Sequence, residues 1–391
     1  MNIVFIFDST YPYYTGGIET WIYNVCERLI ERNEITIFTV ENFRTNDKMG
    51  HYTNINPKIE IVPVKNLNHV RITKPFIHSY IAVFNSEVTV HCMYRKIKKT
   101  LNHSKKYYFI ALGTVFAAKT ARLLKKDFPA SKMIASCRSL HPEVLGEQYP
   151  GVGAIAMKME RKNLKEMDAV WANGLDTQIA LKKKGFESKV IKNGVDFKNY
   201  DELEPFDYGK IKLQNKIKIV TIGTVQRIKG YYEIIDAMKY LKDKYRVEVH
   251  LVGLGKGSLE KFNKYAESRG VAERVHLLGE QRNVVSYAKG ADVIICASGG
   301  SGYGMAILES MISQTPIVAW DSPVYRQLLV DGYSAKLVDS WDAKALAEGI
   351  YYVLTHKDEI LAWGERTRNK AKEFDWSEVI KEIEEECEHL K

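Results

Sequence analysis

Short runs of β-branched and aromatic residues alternate along this chain with longer stretches whose apolar side chains recur every three or four positions. The runs suit strands buried on both faces and the stretches suit helices that cover them, the alternation expected of parallel sheets. In the first half the runs fall at Ile3–Phe7, Glu34–Val40, Ile59–Val64, Tyr107–Gly113, Lys132–Cys137, Ala169–Asn173 and Lys189–Ile191. Helical periodicity occupies Ile18–Arg32, Val115–Lys126, Ile155–Glu166 and Asp176–Lys184 between them. From Phe197 to Lys216 the periodicity lapses into a polar stretch holding Pro205 and Gly209, so a linker is expected there. A second α/β series then begins, with strands at Ile217–Ile222, Val247–Val252, Val275–Leu278, Val293–Cys296 and Pro316–Ala319. The pattern predicts an α/β chain of two doubly wound domains, 1–196 and 217–375, facing a cleft. A charged helix over 376–391 closes it, its Glu382–Glu388 run expected to be a solvated face with a structural role.

Length and composition agree with two cores. The 391 residues exceed one ordinary domain, and 45% apolar with 27% charged residues describes a folded chain rather than a disordered one. The five cysteines, Cys26, Cys92, Cys137, Cys296 and Cys387, are scattered and show no metal-ligand spacing. They point away from a disulfide framework or zinc site and toward a reducing cytoplasm. The chain enters its first strand-like run without a basic leader and has no 18-residue apolar stretch, so neither a secretory signal nor a membrane span is expected. Charge changes the picture, because the net +9 divides into +12 over residues 1–200 and −3 over 201–391. Nucleic acid, an anionic membrane surface or a phosphorylated substrate each fits a basic half. Nucleic acid is disfavoured, since no aromatic-rich recognition motif accompanies the cations.

Ligands of open α/β sheets bind beyond the carboxyl ends of strands, and the chemistry-bearing segments lie there. Thr15-Gly16-Gly17-Ile18-Glu19 follows the first strand and opens a helix, where bare amides can approach an anion; a turn that merely needs glycine is the alternative. Gly223 to Gly230 places Arg227 and Lys229 in a glycine-bounded loop, suited to a departing diphosphate or, alternatively, a solvated basic turn. Ala297 to Met311 runs from a glycine-rich loop into an amphipathic helix, with Glu309 about one turn in. A carboxylate in an apolar run is costly to bury unpaired, so Glu309 reads as a ligand for ribose hydroxyls.

In their order and spacing these segments resemble the retaining glycosyltransferases of family 4, which have the GT-B fold of two Rossmann-like domains. The likeness spans nearly the whole chain: Gly16-Gly17-Ile18-Glu19, Leu140-His141-Pro142, Asn193-Gly194-Val195-Asp196, Gly223 to Gly230, Val252-Gly253-Leu254-Gly255, Ala291-Asp292-Val293, Gly302 to Glu309 and Thr315-Pro316-Ile317-Val318-Ala319. The resemblance implies transfer of a hexose from a nucleotide-sugar, by family habit a UDP-sugar, to a glycan or lipid-linked acceptor. It implies neither metal nor cofactor. Lys229 would bind the diphosphate and Glu309 the donor ribose. The amides around Tyr303, Gly304 and Met305 would hold the phosphates, with Gly16 and Gly17 closing over them, and the loop Gly279–Asn283 with Arg282 would frame the base.

Three positions depart from the family pattern. Ser301 stands where the first glutamate of its pair is usual, and Thr224 stands for an arginine that Arg227 is close enough to replace. Arg138 stands for a histidine and is a candidate to stabilise phosphate charge; His141, three residues on, is a catalytic candidate or equally a packing or capping residue. Two readings follow: an active transferase with an altered donor-sugar pocket, or a non-catalytic nucleotide-sugar or carbohydrate-binding partner of another transferase. A nucleotide-sugar epimerase would need acidic groups at the sugar ring, and Ser301 argues against it.

The acceptor side falls in the basic half. The apolar stretch Pro75–Val90 is followed by Arg95, Lys96, Lys98, Lys99, Lys105 and Lys106, a pairing that fits either a peripheral membrane-surface element on the cytoplasmic face or a solvated helix end.

Overall fold

The computed structural model describes residues 1–7, 17–41, 55–65, 75–138, 150–299 and 304–390. They fall into two compact units, Met1–Asn193 with Trp376–Lys391, and Gly194–Asp375.

The first unit is built on seven parallel strands: β1 (Asn2–Ile6), β2 (Glu34–Glu41), β3 (Glu60–Lys65), β4 (Tyr108–Leu112), β5 (Lys132–Cys137), β6 (Ala169–Ala172) and β7 (Lys189–Val190), in the order β3-β2-β1-β4-β5-β6-β7. Every residue of β4 is buried, because helices cover both faces and the alternation of a strand then has no wet side. On one face Val4, Ile6, Phe109, Ala111, Met133 and Ala135 join Met93, Ile97, Ala118 and Leu124 in a core. Their strand neighbours Ile3, Phe5, Ile110 and Ile134, which point the opposite way, are buried as well.

Pro75–Thr100 is a single 26-residue helix, so the apolar stretch and most of the expected basic cluster belong to one element. Val90, Met93 and Ile97 are buried, while Arg95, Lys96 and Lys99 are exposed. Lys98 pairs with Asp127, and Lys105 reaches Glu34 at 3.1 Å. Among the described residues no helix is long and apolar enough to cross a membrane.

The terminal helix Trp376–His389 is more than a solvated face. Trp376, Val379, Ile383 and Cys387 recur at helical spacing and are buried. Its glutamates are partnered too: Glu384 accepts from Asn33 at 3.0 Å, Glu386 lies 3.5 Å from Lys189, and the Arg28 guanidinium sits 5.4 Å above the Trp376 ring. The four-residue apolar period is what the run of glutamates conceals in the sequence.

The second unit has six parallel strands, β8 (Ile217–Ile222), β9 (Val249–Leu254), β10 (Val275–Gly279), β11 (Val293–Cys296), β12 (Ile317–Trp320) and β13 (Lys336–Val338), in the order β10-β9-β8-β11-β12-β13. β13, three residues long, is too short to carry a periodic signal. Strand order reverses beside β8, whose neighbours are β9 and β11, so the loops leaving β8 and β11 start side by side at the carboxyl edge of the sheet.

The stretch expected as a linker falls within the second unit. Residues 197–216 carry the helix Phe197–Asp201 and a turn at Tyr208–Ile211, with Phe197, Tyr200 and Leu203 packed on the second core and Tyr208 and Leu213 buried. Its anchors are irregularly spaced among polar residues, so no period betrays them. Lys289 donates to the carbonyls of Tyr200, Asp201 and Leu203 at 2.8, 3.2 and 2.8 Å, and Arg368 pairs with Asp201 at 2.6 Å.

Because Ile383 is fully buried, Ile383→Ala should destabilise the first unit by about 2–5 kcal/mol in chemical denaturation while leaving the transition of the second unit in place.

Candidate functional site

The site grows out of two loops at the carboxyl edge of the second sheet. After β8 the chain turns at Gly223, with φ of 136°, and after β9 at Gly255, with φ of 152°. A Cβ on Gly255 would stand 2.1 Å from the Gly223 carbonyl oxygen, so these two turns can lie against each other only without side chains. Gly230, with φ of 69°, permits a second close approach: a Cβ there would come 2.7 Å from the Ala297 carbonyl oxygen. The loop after β8 is thus pressed onto the loop after β11. The Gly299 amide donates to the Ile228 carbonyl at 2.9 Å, and the Ser298 amide donates to the Tyr325 hydroxyl at 3.2 Å.

This contact carries Lys229 inward. Its ammonium donates to the Ser298 hydroxyl at 2.9 Å and, among the described residues, meets no carboxylate. Burial holds its pKa below the usual lysine value. A half-buried ammonium whose one described protein partner is a neutral hydroxyl keeps much of its desolvation penalty, and an anion would relieve it.

The loop after β11 leads into the helix Met305–Ile312. Gly304 at its N-cap is extended, exposed and without a capping side chain, and a Cβ there would meet open space. Among the described residues no side chain caps the first amides of this helix, where the positive end of its dipole lies. One turn in, Glu309 is half-buried and accepts a hydrogen bond from the Tyr200 hydroxyl at 3.1 Å. Burial pushes its carboxyl up to about 7, and the Tyr200 bond offsets only a fraction of that. Among the described residues no cation shares in the balance.

The other expected residues are spread over both units. Thr224 is half-buried and its hydroxyl accepts from the Gln226 amide at 2.8 Å. Arg227 is exposed in the turn Arg227–Lys229 and makes no ion pair among the described residues, while Arg282 is exposed in the loop after β10. Met305 is the half-buried first residue of its helix. In the first unit, Gly17 is exposed at the start of the helix Gly17–Leu29 with open space about it. Arg138 is buried there: it donates to the Ile191 carbonyl at 3.1 Å and to Asn193, and its guanidinium lies 4.1 Å from the centre of the Trp21 ring. These contacts hold the Arg138 guanidinium against its own unit. Gly16, His141, Ser301 and Tyr303 lie outside the described residues.

Sequence reasoning missed two contributors. Ser298 sits in the glycine-rich stretch without a distinctive residue type, and Tyr200 sits in the supposed linker, 109 positions from the carboxylate it touches. The available signal for Ser298 was its place directly after a buried strand; for Tyr200 there was none.

Glu309 titrates higher folded than unfolded, so its proton stabilises the second unit in full below the unfolded value near 4.5, and that contribution is lost as pH rises through about 7. Between those values it should give a stability slope of at most about 1.4 kcal/mol per pH unit, which Glu309→Gln should remove in denaturation series at pH 5 to 8.

Comparison with known proteins bears on both units. Residues 206–370 match the family model described as Glycosyl transferases group 1. A D-inositol 3-phosphate glycosyltransferase of Corynebacterium urealyticum is 28% identical over 171 residues, an alignment covering 41% of this chain and only 40% of that relative. The corresponding enzyme of Corynebacterium jeikeium is 21% identical over 92% of this chain and 88% of its own length. A phosphatidyl-myo-inositol mannosyltransferase of Mycobacterium leprae is 28% identical over 40% of this chain and 41% of that protein. Among solved structures, a sucrose-phosphate synthase of Thermosynechococcus elongatus overlays with a TM-score of 0.77 at 16% identity, covering 100% of this chain and 98% of that one. Anabaena HepE, in complex with UDP-glucose, overlays at 0.75 and 17% identity with both chains covered in full. The chain thus has two parallel α/β Rossmann-like domains like those of GT-B glycosyltransferases, and its residues 206–370 match a group 1 glycosyl transferase domain.

Proposed function

We propose that this chain is a retaining glycosyltransferase of family 4 that moves a hexose from a UDP-sugar to a glycan or lipid-linked acceptor, without a metal or cofactor. The observation that carries the reading is Lys229, a desolvated ammonium on a neutral hydroxyl beside the loop that leads to an uncapped helix start. A nucleotide diphosphate supplies what that arrangement lacks: negative charge for the lysine and acceptor oxygens for the amides. Its ribose hydroxyls would donate to Glu309, whose carboxylate meets the Tyr200 hydroxyl among the described residues.

In transfer, the bond between the anomeric carbon and the diphosphate oxygen breaks while a bond to the acceptor hydroxyl oxygen forms, and the acceptor's proton passes to the departing diphosphate. Negative charge grows on the departing diphosphate. Lys229 and the amides from Gly304 onward would meet that charge, with Arg227 swinging in from the exposed turn. The UDP-glucose complex of HepE supports the donor class, and the inositol-phosphate and phosphatidylinositol names of the relatives support an acceptor bearing phosphate or lipid. The exposed Arg95, Lys96 and Lys99 on the helix Pro75–Thr100 would suit such an acceptor at the cytoplasmic face of a membrane.

Because its ammonium is an unrelieved burial, Lys229→Met should raise the melting temperature of the ligand-free protein and abolish UDP binding by calorimetry and sugar release in a donor screen read by mass spectrometry. Retained binding and turnover in that variant would refute the role given to Lys229. Binding without turnover in the unaltered protein, across all donors and acceptors, would instead favour a non-catalytic partner.

A further inference from the structure

We infer that Tyr200 is a positioning residue of the ribose site, holding the Glu309 carboxylate in place and in its ionised form for nucleotide hydroxyls. The inference rests on the reading of Glu309 as the ribose ligand, and it concerns a residue from a segment that resembles a linker in sequence.

Three observations converge on it. The Tyr200 hydroxyl donates to Oε1 of Glu309 at 3.1 Å, and among the described residues Oε2 and the second lone pair of Oε1 keep room for a ligand's two hydroxyls. Tyr200 is itself fastened. Asp196 caps the short helix Phe197–Asp201 by accepting from the Asn199 amide at 3.1 Å, Lys289 gathers the three carbonyls at its other end, and Arg368 pairs with Asp201 while lying 5.6 Å over the Phe197 ring. Finally, Glu309 has no cationic partner among the described residues, so the phenol is the group that favours its charged form against burial. Of the charged side chains near this helix, Lys289, Arg368, Asp201 and Asp196 are each bonded to a partner other than Glu309, and among the described residues none of Lys198, Glu365, Arg366 and Lys370 is hydrogen-bonded to it. A protonated Glu309 would accept ribose hydroxyls poorly, so losing the phenol weakens the site twice, through orientation and through ionisation.

The test compares the full-length protein with Tyr200→Phe, Glu309→Gln and the double variant, by calorimetry with UDP and 2′-deoxy-UDP from pH 6 to 9. Tyr200→Phe should weaken UDP binding about three- to tenfold at pH 7, with the loss shrinking toward pH 9 and smaller for the deoxy ligand. In the Glu309→Gln background the same substitution should change nothing further. A loss equal at every pH and for both ligands, or an equal loss in the Glu309→Gln background, would mean that Tyr200 only packs and would overturn the inference. If the unaltered protein binds no UDP, the nucleotide reading itself fails. The ribose role fails with it, and the remaining claim, that the phenol favours the ionised Glu309, is decided by ligand-free denaturation: Tyr200→Phe should move the Glu309-linked stability slope to higher pH, and an unmoved slope refutes it.

Discussion

Two opposite charges are withdrawn from solvent in the second unit and are not paired with each other. Lys229 is bonded to Ser298 and Glu309 to Tyr200, so each ionisable group rests on a neutral hydroxyl. A protein selected for stability alone would join such charges or replace them with apolar side chains, since an unpaired buried charge keeps most of its desolvation penalty. The perturbations agree in sense: burial lowers the lysine and raises the glutamate, each moving toward its neutral form. The proposed ligand, anionic at one end and rich in hydroxyls at the other, would complete this arrangement.

The parallel sheet makes this possible by sending the loops of β8 and β11 to the same edge. What brings them into contact is the absence of side chains. Gly255 lets its turn lie on Gly223, and Gly230 lets the loop after β8 touch Ala297, so that Lys229 is delivered beside Ser298 rather than into solvent. The loop after β11 then ends in a helix whose N-cap has no side chain to compete for its amides. Backbone geometry and side-chain charge therefore work as a single device.

The first unit shows the opposite use of a cation. Arg138, at the carboxyl end of β5, lies over the Trp21 ring and is bonded to Ile191 and Asn193 within the same unit. A guanidinium tolerates this because it is weakly hydrated and planar. The terminal helix, which follows the whole second unit in the chain, completes the first through Trp376, Val379, Ile383 and Cys387, so the first unit is assembled from both ends of the sequence.

What the amino-acid sequence determined by itself was the periodic component: the alternation of buried runs and amphipathic stretches dictates parallel sheets covered on both faces, because a strand with no wet side must be apolar throughout. It also marked Lys229, Glu309 and the glycine-bounded loops, whose residue types are rare in apolar surroundings and carry their chemistry with them. Tertiary structure alone decided the rest. Residues 197–216 look like a linker because Phe197, Tyr200, Leu203, Tyr208 and Leu213 follow no period, yet each packs into the second unit. Arg138 and Lys229 are both cations following strands, and only their surroundings separate a stacked, bonded guanidinium from an ammonium that meets no carboxylate among the described residues. Tyr200 meets Glu309 across 109 residues of chain, and a contact of that separation is set by how elements pack, which no local pattern encodes.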